Sequence, residues 1–199
     1  MPITIDYYLA PQSPWTYLGH ARFVAMAQKA GATVHVMPVD LGGKIFPVSG
    51  GLPLAQRPPQ RQAYRLVELA RWRDQLQMPL NIKPRHFPVP GDDAARLIIA
   101  VDQLDGAAAA LQLTGAVLTA VWAQERDINN PATRAELLAE CGLNAQRASD
   151  AQAPEVQATY ERYTQQAIAA QVFGSPSYVV EGEIFWGQDR LDFLQRRLG

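Results

Sequence analysis

The sequence predicts a mixed α/β fold, assembled from both ends of the chain around a long all-helical segment. Three observations predict it. Residues 3–39 read as strand, helix, strand; the helical period then sets in near Gln60 and persists to Gln171; and two short apolar runs split by Glu181-Gly182 precede a last helix. A strand–helix–strand unit requires a parallel pair joined by a crossover. Two short runs with a two-residue break require a tight antiparallel hairpin. One sheet drawing on both chain ends would carry the helical segment over one edge, as a lid or wall.

Taken in order, Ile3–Leu9 alternates Ile3, Ile5 and Tyr7 with Thr4, Asp6 and Tyr8, the period of a strand. Pro14–Ala30 reads as a helix, with Ser13 as its N-cap, Pro14 at the first helical position and Gly31 just past its end. Thr33–Val39 is the second strand. The stretch that follows, with Gly42-Gly43, Pro47, Gly50-Gly51, Pro53 and Pro58-Pro59, reads as a long loop, functional or mobile. Helices are expected at Gln60–Gln77, Asp92–Leu104, Ala107–Gln124, Pro131–Cys141 and Pro154–Gln171, with a short one after the break at Gly142 and Asn144. Ser177–Val180 and Glu183–Trp186 form the hairpin, and Asp189–Leu198 the last helix. The division expected is 1–41 with 172–199 as the sheet domain, and 42–171 as the helical insertion.

Composition removes several function classes. A chain of 199 residues suits one domain, or one with a large insertion. A net charge of −1 without a basic stripe argues against nucleic acid as a partner. No apolar run approaches 18 residues, and the first residues lack the pattern of a signal peptide, so no membrane partner is expected. The single cysteine, Cys141, allows neither a disulfide framework nor a Cys-based zinc site, and reads as a buried helix residue. Together these point to the cytoplasm, or to another reducing compartment.

Two short stretches far apart in sequence carry the chemistry. One is the strand-to-helix turn at Ser13. The other is Val172-Phe173-Gly174-Ser175-Pro176-Ser177, where the bond before Pro176 is a candidate cis peptide. Along with "LARW" at Leu69–Trp72, "MPL" at Met78–Leu80 and "FWGQDRLDFL" at Phe185–Leu194, they resemble the thioredoxin fold in the branch with a helical insertion. That branch includes the DsbA oxidoreductases and the kappa-class glutathione transferases. The likeness sharpens to the 2-hydroxychromene-2-carboxylate isomerase family and spans almost the whole chain.

The redox members of that fold begin the first helix with Cys-x-x-Cys, and here the place reads Ser13-Pro14-Trp15-Thr16. The resemblance therefore implies a catalytic Ser13 that activates a thiolate rather than supplying one, with glutathione as the cofactor. A hydroxyl donor, free N–H groups and the positive end of a helix dipole suit an anion. The same resemblance implies that Ser175 and Pro176 pair with the cysteinyl backbone of glutathione. It also implies that Trp186 and Gly187 shape the pocket of the γ-glutamyl end, and that Gln188 and Asp189 hold that end. The implied reaction is glutathione-dependent cis–trans isomerisation of a small aromatic carboxylate from naphthalene-type catabolism, by a homodimer.

Other readings stay open beside it. A kappa-like transferase would share the thiolate but keep glutathione on its product, and a non-catalytic thioredoxin-like binding protein would do neither. Ser13 could be a plain N-cap, Asp189 the cap of the last helix, and Trp186 a core residue on a half-buried strand. Leu111, Val117, Leu118, Val121 and Trp122 could add to a dimer face. His20 lies two turns along the helix from Ser13, about 10 Å by helical rise, which speaks against a serine hydrolase. The substrate carboxylate wants a cation, and Lys44, Arg57, Arg61, Lys83 and Arg85 are candidates without a ranking. Ala10-Pro11-Gln12 departs from the family's acidic-aromatic turn. An asparagine is missing near Gly50–Ala55, Arg61 stands in for a lysine, and Pro88-Val89-Pro90-Gly91 replaces a segment that often carries another asparagine. These departures bear on the substrate more than on the thiolate site.

Overall fold

A computed structural model describes residues 3–199. Four strands form one sheet in the order β2-β1-β3-β4: β1 Thr4–Leu9, β2 Thr33–Pro38, β3 Ser177–Val180 and β4 Glu183–Trp186. β1 runs parallel to β2 and antiparallel to β3, which turns back into β4. The two central strands thus come from opposite ends of the chain. The hairpin closes through Glu181 at φ 50° and Gly182 at φ 83°. Two successive positive φ angles match the right-handed twist of the strands they join.

Helix α1, Pro14–Lys29, makes the crossover from β1 to β2. Ser13 adopts extended backbone and its hydroxyl accepts the Thr16 N–H at 3.2 Å, the N-cap arrangement that the sequence predicts. The helical segment then holds α2 (Phe46–Ser49), α3 (Pro59–Leu76), α4 (Asp92–Asp105), α5 (Ala107–Trp122), α6 (Pro131–Glu140), α7 (Arg147–Asp150) and α8 (Pro154–Ala169), before α9 (Leu191–Leu198) ends the chain.

Strand alternation sorts the core into two layers. Ile5, Tyr7, Leu9, Val34, Val36, Tyr178, Val180 and Phe185 face one side, packed with Leu18 and Phe23 of α1, Leu191 and Leu194 of α9 and the helices of the insertion. Tyr8, Met37, Val179 and Ile184 face the other, with Ile45, Ala167 and Val172. The sheet is covered on both sides. The first layer continues unbroken into Leu97, Ile98, Leu113, Val117 and Trp122 of α4 and α5.

The structure departs from the sequence reading in four places. The expected loop after β2 is folded: Leu41–Ile45 forms a π-helical turn, and α2 and a 3₁₀ turn at Leu54–Gln56 follow. Asp40 caps the π turn by accepting the Gly43 N–H at 2.7 Å, and fully buried Ile45 anchors it. Its glycines and prolines punctuate short turns rather than mark an open loop. The last helix begins at Leu191, because Gln188–Arg190 is a 3₁₀ turn. Cys141 lies just past α6 as its C-cap, half-buried. Leu111, Val117, Leu118, Val121 and Trp122 are buried within the chain itself, so they present no dimer face.

Candidate active site

The turn from β1 into α1 is short because its residues suit one. The Ser13 N–H donates to Ala10 O at 3.0 Å and closes a four-residue turn, in which Pro11 takes the second position that proline favours. The Ala10-Pro11-Gln12 variation is thus absorbed without moving Ser13 from the N-cap.

Directly opposite lies the Ser175-Pro176 bond, which is cis, as the sequence suggests; a second cis bond, Phe87-Pro88, had no sequence signal of its own. Ser175 is buried and stitches the two stretches together. Its hydroxyl accepts the Ala10 N–H at 2.8 Å and shares a hydrogen bond of 2.8 Å with the Thr16 hydroxyl. Its carbonyl accepts the Ser13 hydroxyl at 3.3 Å, long for an O–H···O bond. Among the described residues the backbone N–H groups of Trp15 and Ser175 have no acceptor. One hydroxyl in a weak bond and two open amides therefore cluster at the positive end of a 16-residue helix.

The other predicted residues occupy the strand and turn that follow. The Gly187 N–H donates to Pro176 O at 2.9 Å, which sets the end of β4 against the cis-proline. Trp186 is half exposed, and its ring lies edge-on to Phe173 at 4.7 Å between centroids. The ring also covers Gly174, where an added Cβ would fall 2.0 Å from the indole nitrogen. Asp189 is exposed and ion-paired to Arg190 at 2.6 Å. Gln188 is different: its side chain is buried and turned inward, held by the Arg22 guanidinium. It braces the turn from behind.

His20 is engaged elsewhere. Its Nε2 must donate to the Leu111 carbonyl at 2.9 Å, since a carbonyl only accepts, so neutral Nδ1 accepts the Tyr7 hydroxyl at 3.1 Å. Burial lowers its pKa to about 4. With both ring nitrogens occupied it cannot serve Ser13 as a base, and the hydrolase reading fails on geometry as well as on spacing. A groove of about 630 Å³ opens between the later turns of α1 and the start of α5, lined by His20, Val24, Ala27 and Leu111, away from the Ser13 turn. Among the described residues no cluster of His, Cys, Asp and Glu could hold a metal ion.

Of the cations named as candidates, Arg57 is half-buried, with its Nε donating to Leu52 O at 2.8 Å. Arg61 is exposed. The sequence reading passed over Arg65. It is 9% exposed, with its guanidinium 5.2 Å from the Phe87 ring centre and 5.7 Å from that of Trp122. A cation at this helical position reads as solvent-facing. Only its spacing of four from Arg61 could have drawn attention to it.

Comparison with known proteins agrees with this geometry. The description of DSBA-like thioredoxin domains matches residues 4–199. A curated relative named 2-hydroxychromene-2-carboxylate isomerase, from Sphingobium xenophagum, is 28% identical over 100% of this chain and 99% of its own length. One of the same name from Pseudomonas putida is 27% identical, over 98% and 94%. Among solved structures, a 2-hydroxychromene-2-carboxylate isomerase superposes with a TM-score of 0.77 at 24% identity, covering 99% of this chain and 95% of that one. A cytosolic disulfide reductase, DsbM from Pseudomonas aeruginosa, solved with GSH, superposes at 0.70 with 16% identity, covering 98% and 99%. No helix among the described residues is long and apolar enough to cross a membrane. With a family match from the first strand to the last residue, the chain belongs to the DsbA-like thioredoxin family, in which the sheet carries a helical insertion.

Proposed function

We propose that this protein is a glutathione-dependent cis–trans isomerase acting on a small aromatic carboxylate of the 2-hydroxychromene-2-carboxylate type. One observation carries the reading. Where redox members of the fold place a thiol, this chain places a serine hydroxyl, at the N-terminus of α1 and bonded only weakly to Ser175 O. The curated relatives that match over nearly their full length carry the isomerase name, which supports the same reaction here.

Glutathione bound along β3 would take the open N–H and the carbonyl of Ser175, as one more strand would. Its sulfur would then reach the Ser13 hydroxyl. The hydroxyl exchanges its long bond to Ser175 O for a bond to the thiolate, while its oxygen keeps the Thr16 N–H. Together with the Trp15 amide and the helix dipole, this lowers the thiol pKa by about one to several units. Trp186 and Gly187 shape the pocket for the γ-glutamyl end. Asp189 exchanges Arg190 for the γ-glutamyl ammonium, and Gln188, gripped by Arg22, fixes the turn that presents Asp189.

The thiolate then adds to a conjugated carbon of the ring-opened substrate, and the electron pair of the double bond moves onto the carbonyl oxygen. The former double bond rotates as a single bond. Re-forming it expels the thiolate, so glutathione returns unchanged. The nucleophile is borrowed, and one high rotational barrier is replaced by an addition step and an elimination step.

The test is the absorbance change of 2-hydroxychromene-2-carboxylate with purified protein. Conversion that requires glutathione and leaves its concentration constant is the expected result. Conversion at the same rate without glutathione, or stoichiometric loss of glutathione, contradicts the proposal.

A further inference from the structure

We infer that Arg65, with Arg57 and Arg61 beside it, forms a binding site for the carboxylate of a planar aromatic acid, the guanidinium being backed by Phe87 and Trp122. The inference starts from an imbalance. Two arginines in the described structure are nearly buried. Arg134 is fully occupied, donating to Ile128 O and Asn129 O and paired with Asp93 at 2.9 Å. Arg65, 9% exposed, has neither a hydrogen bond nor an ion pair among the described residues. Its guanidinium nitrogens are not sealed from solvent, so a largely covered side chain presents an N–H edge that no protein group takes up and that an arriving anion can reach.

No acid is in place to neutralise it. From Leu41 to Val67 there is no Asp or Glu, yet the stretch holds Lys44, Arg57, Arg61 and Arg65. From Gln75 to Gly91 there is again none, beside Lys83 and Arg85. Helix α5, which supplies Trp122, carries no charge at all. The nearest acid on α3, Glu68, is bonded to Arg71 at 2.7 Å. In a chain whose net charge is −1, these elements together leave a local excess of positive charge. Burial, and after it repulsion from Arg57, pushes the Arg65 pKa down to about 10, so the group stays charged at neutral pH and gains from an arriving anion.

The surroundings select the kind of anion. The aromatic rings of Phe87 and Trp122 lie within cation–π range of Arg65, and Phe46 lies 5.9 Å from Arg57. A guanidinium backed by rings presents its N–H edge, which matches a carboxylate in two parallel bonds. The partly exposed rings of Phe46 and Phe87 favour a flat apolar body behind that carboxylate over a strongly hydrated inorganic anion, while fully buried Trp122 backs the guanidinium from within.

The same site leads to the Ser13 turn. Phe87 opens a segment that ends at Gly91, whose backbone packs against the Gln12 side chain one residue before Ser13. Four residues span at most about 14 Å. Tyr17, one turn into α1, donates to Pro79 O at 2.5 Å and ties the chain ahead of Phe87 to the same helix. The segment thus links the Arg65 site at one end to the Ser13 turn at the other. The anion site stands on Arg65, and only the identity of its acid rests on the proposed isomerase reading.

The test is equilibrium dialysis of salicylate against the full chain without glutathione. Saturable binding of about one salicylate per chain is expected. Arg65→Met should weaken it on the order of tenfold or more and Arg57→Ala several-fold, while Arg71→Ala leaves it unchanged. Inorganic phosphate should compete poorly. The glutathione thiol titration should be the same in Arg65→Met as in the wild type, which separates this site from the Ser13 reading. Salicylate binding that is absent in the wild type, unaffected by Arg65→Met, or displaced equally well by phosphate overturns the inference. If Arg65→Met does not fold, an unchanged affinity in Arg57→Ala overturns it instead.

Discussion

At the residue scale, Ser13 has two separable jobs. As a cap it holds the Thr16 N–H, and removing a serine cap costs about 0.5–2 kcal/mol. As a donor its proton is committed only to a 3.3 Å bond. Ser13→Ala is therefore expected to fold, with a small drop in chemical-denaturation stability, and to lose the donor. A mutant that unfolds at room temperature would show that the cap dominates. The residue at 13 was legible in the sequence because a serine before proline, between a strand and a helix, is a local signal. Arg65 was not, because a helix pattern places a cation in solvent unless the long-range packing of Phe87 and Trp122 is known. The inward turn of Gln188 escaped for the same reason, since Arg22 lies 166 residues away in sequence.

At the element scale, α1 meets the turn after β4 at Gly19. A Cβ there would sit 2.8 Å from Gln188 Cβ and 3.2 Å from the Tyr178 hydroxyl. Replacing a helix-interior glycine by alanine ordinarily stabilises by about 1 kcal/mol. Here overpacking against a fixed carbon costs typically 1–3 kcal/mol, which exceeds that gain. Gly19→Ala is expected to destabilise the fold and to weaken glutathione binding through Gln188 and Asp189. A gain in midpoint denaturant concentration would contradict this packing. Strand alternation, the α1 caps and the Glu181-Gly182 turn made the four strands and their joining into one sheet readable, since each is a short-range pattern, whereas the pairing of β1 with β3 is long-range. The segment after β2 was harder to read. Its π turn depends on Ile45 finding the second core layer, which no local pattern reports.

At the scale of the whole molecule, the buried pair of Tyr7 and His20 joins the central strand, α1 and α5 through Leu111 O. The unfolded chain takes up a proton on His20 near pH 6.5, whereas burial holds the folded value to about 4. Between those values the unfolded state binds more protons. This contribution is thus fully present above pH 6.5 and is lost as pH falls towards 4, by up to about 3 kcal/mol. Urea denaturation at pH 7 and pH 4.5 checks it: the wild type should lose more stability over that interval than His20→Gln. Equal losses would mean that His20 already protonates in the folded state.

The central claim, that the α1 N-terminus activates a borrowed thiol, meets its most direct test in the ultraviolet thiolate absorbance of bound glutathione, titrated across pH. The expected result is a thiol pKa clearly below the ordinary value of about 8.5 in the wild type, moving back towards it in a folded Ser13→Ala. Absence of glutathione binding, or an ordinary thiol pKa in the wild type, would reduce Ser13 to a helix cap and contradict the claim.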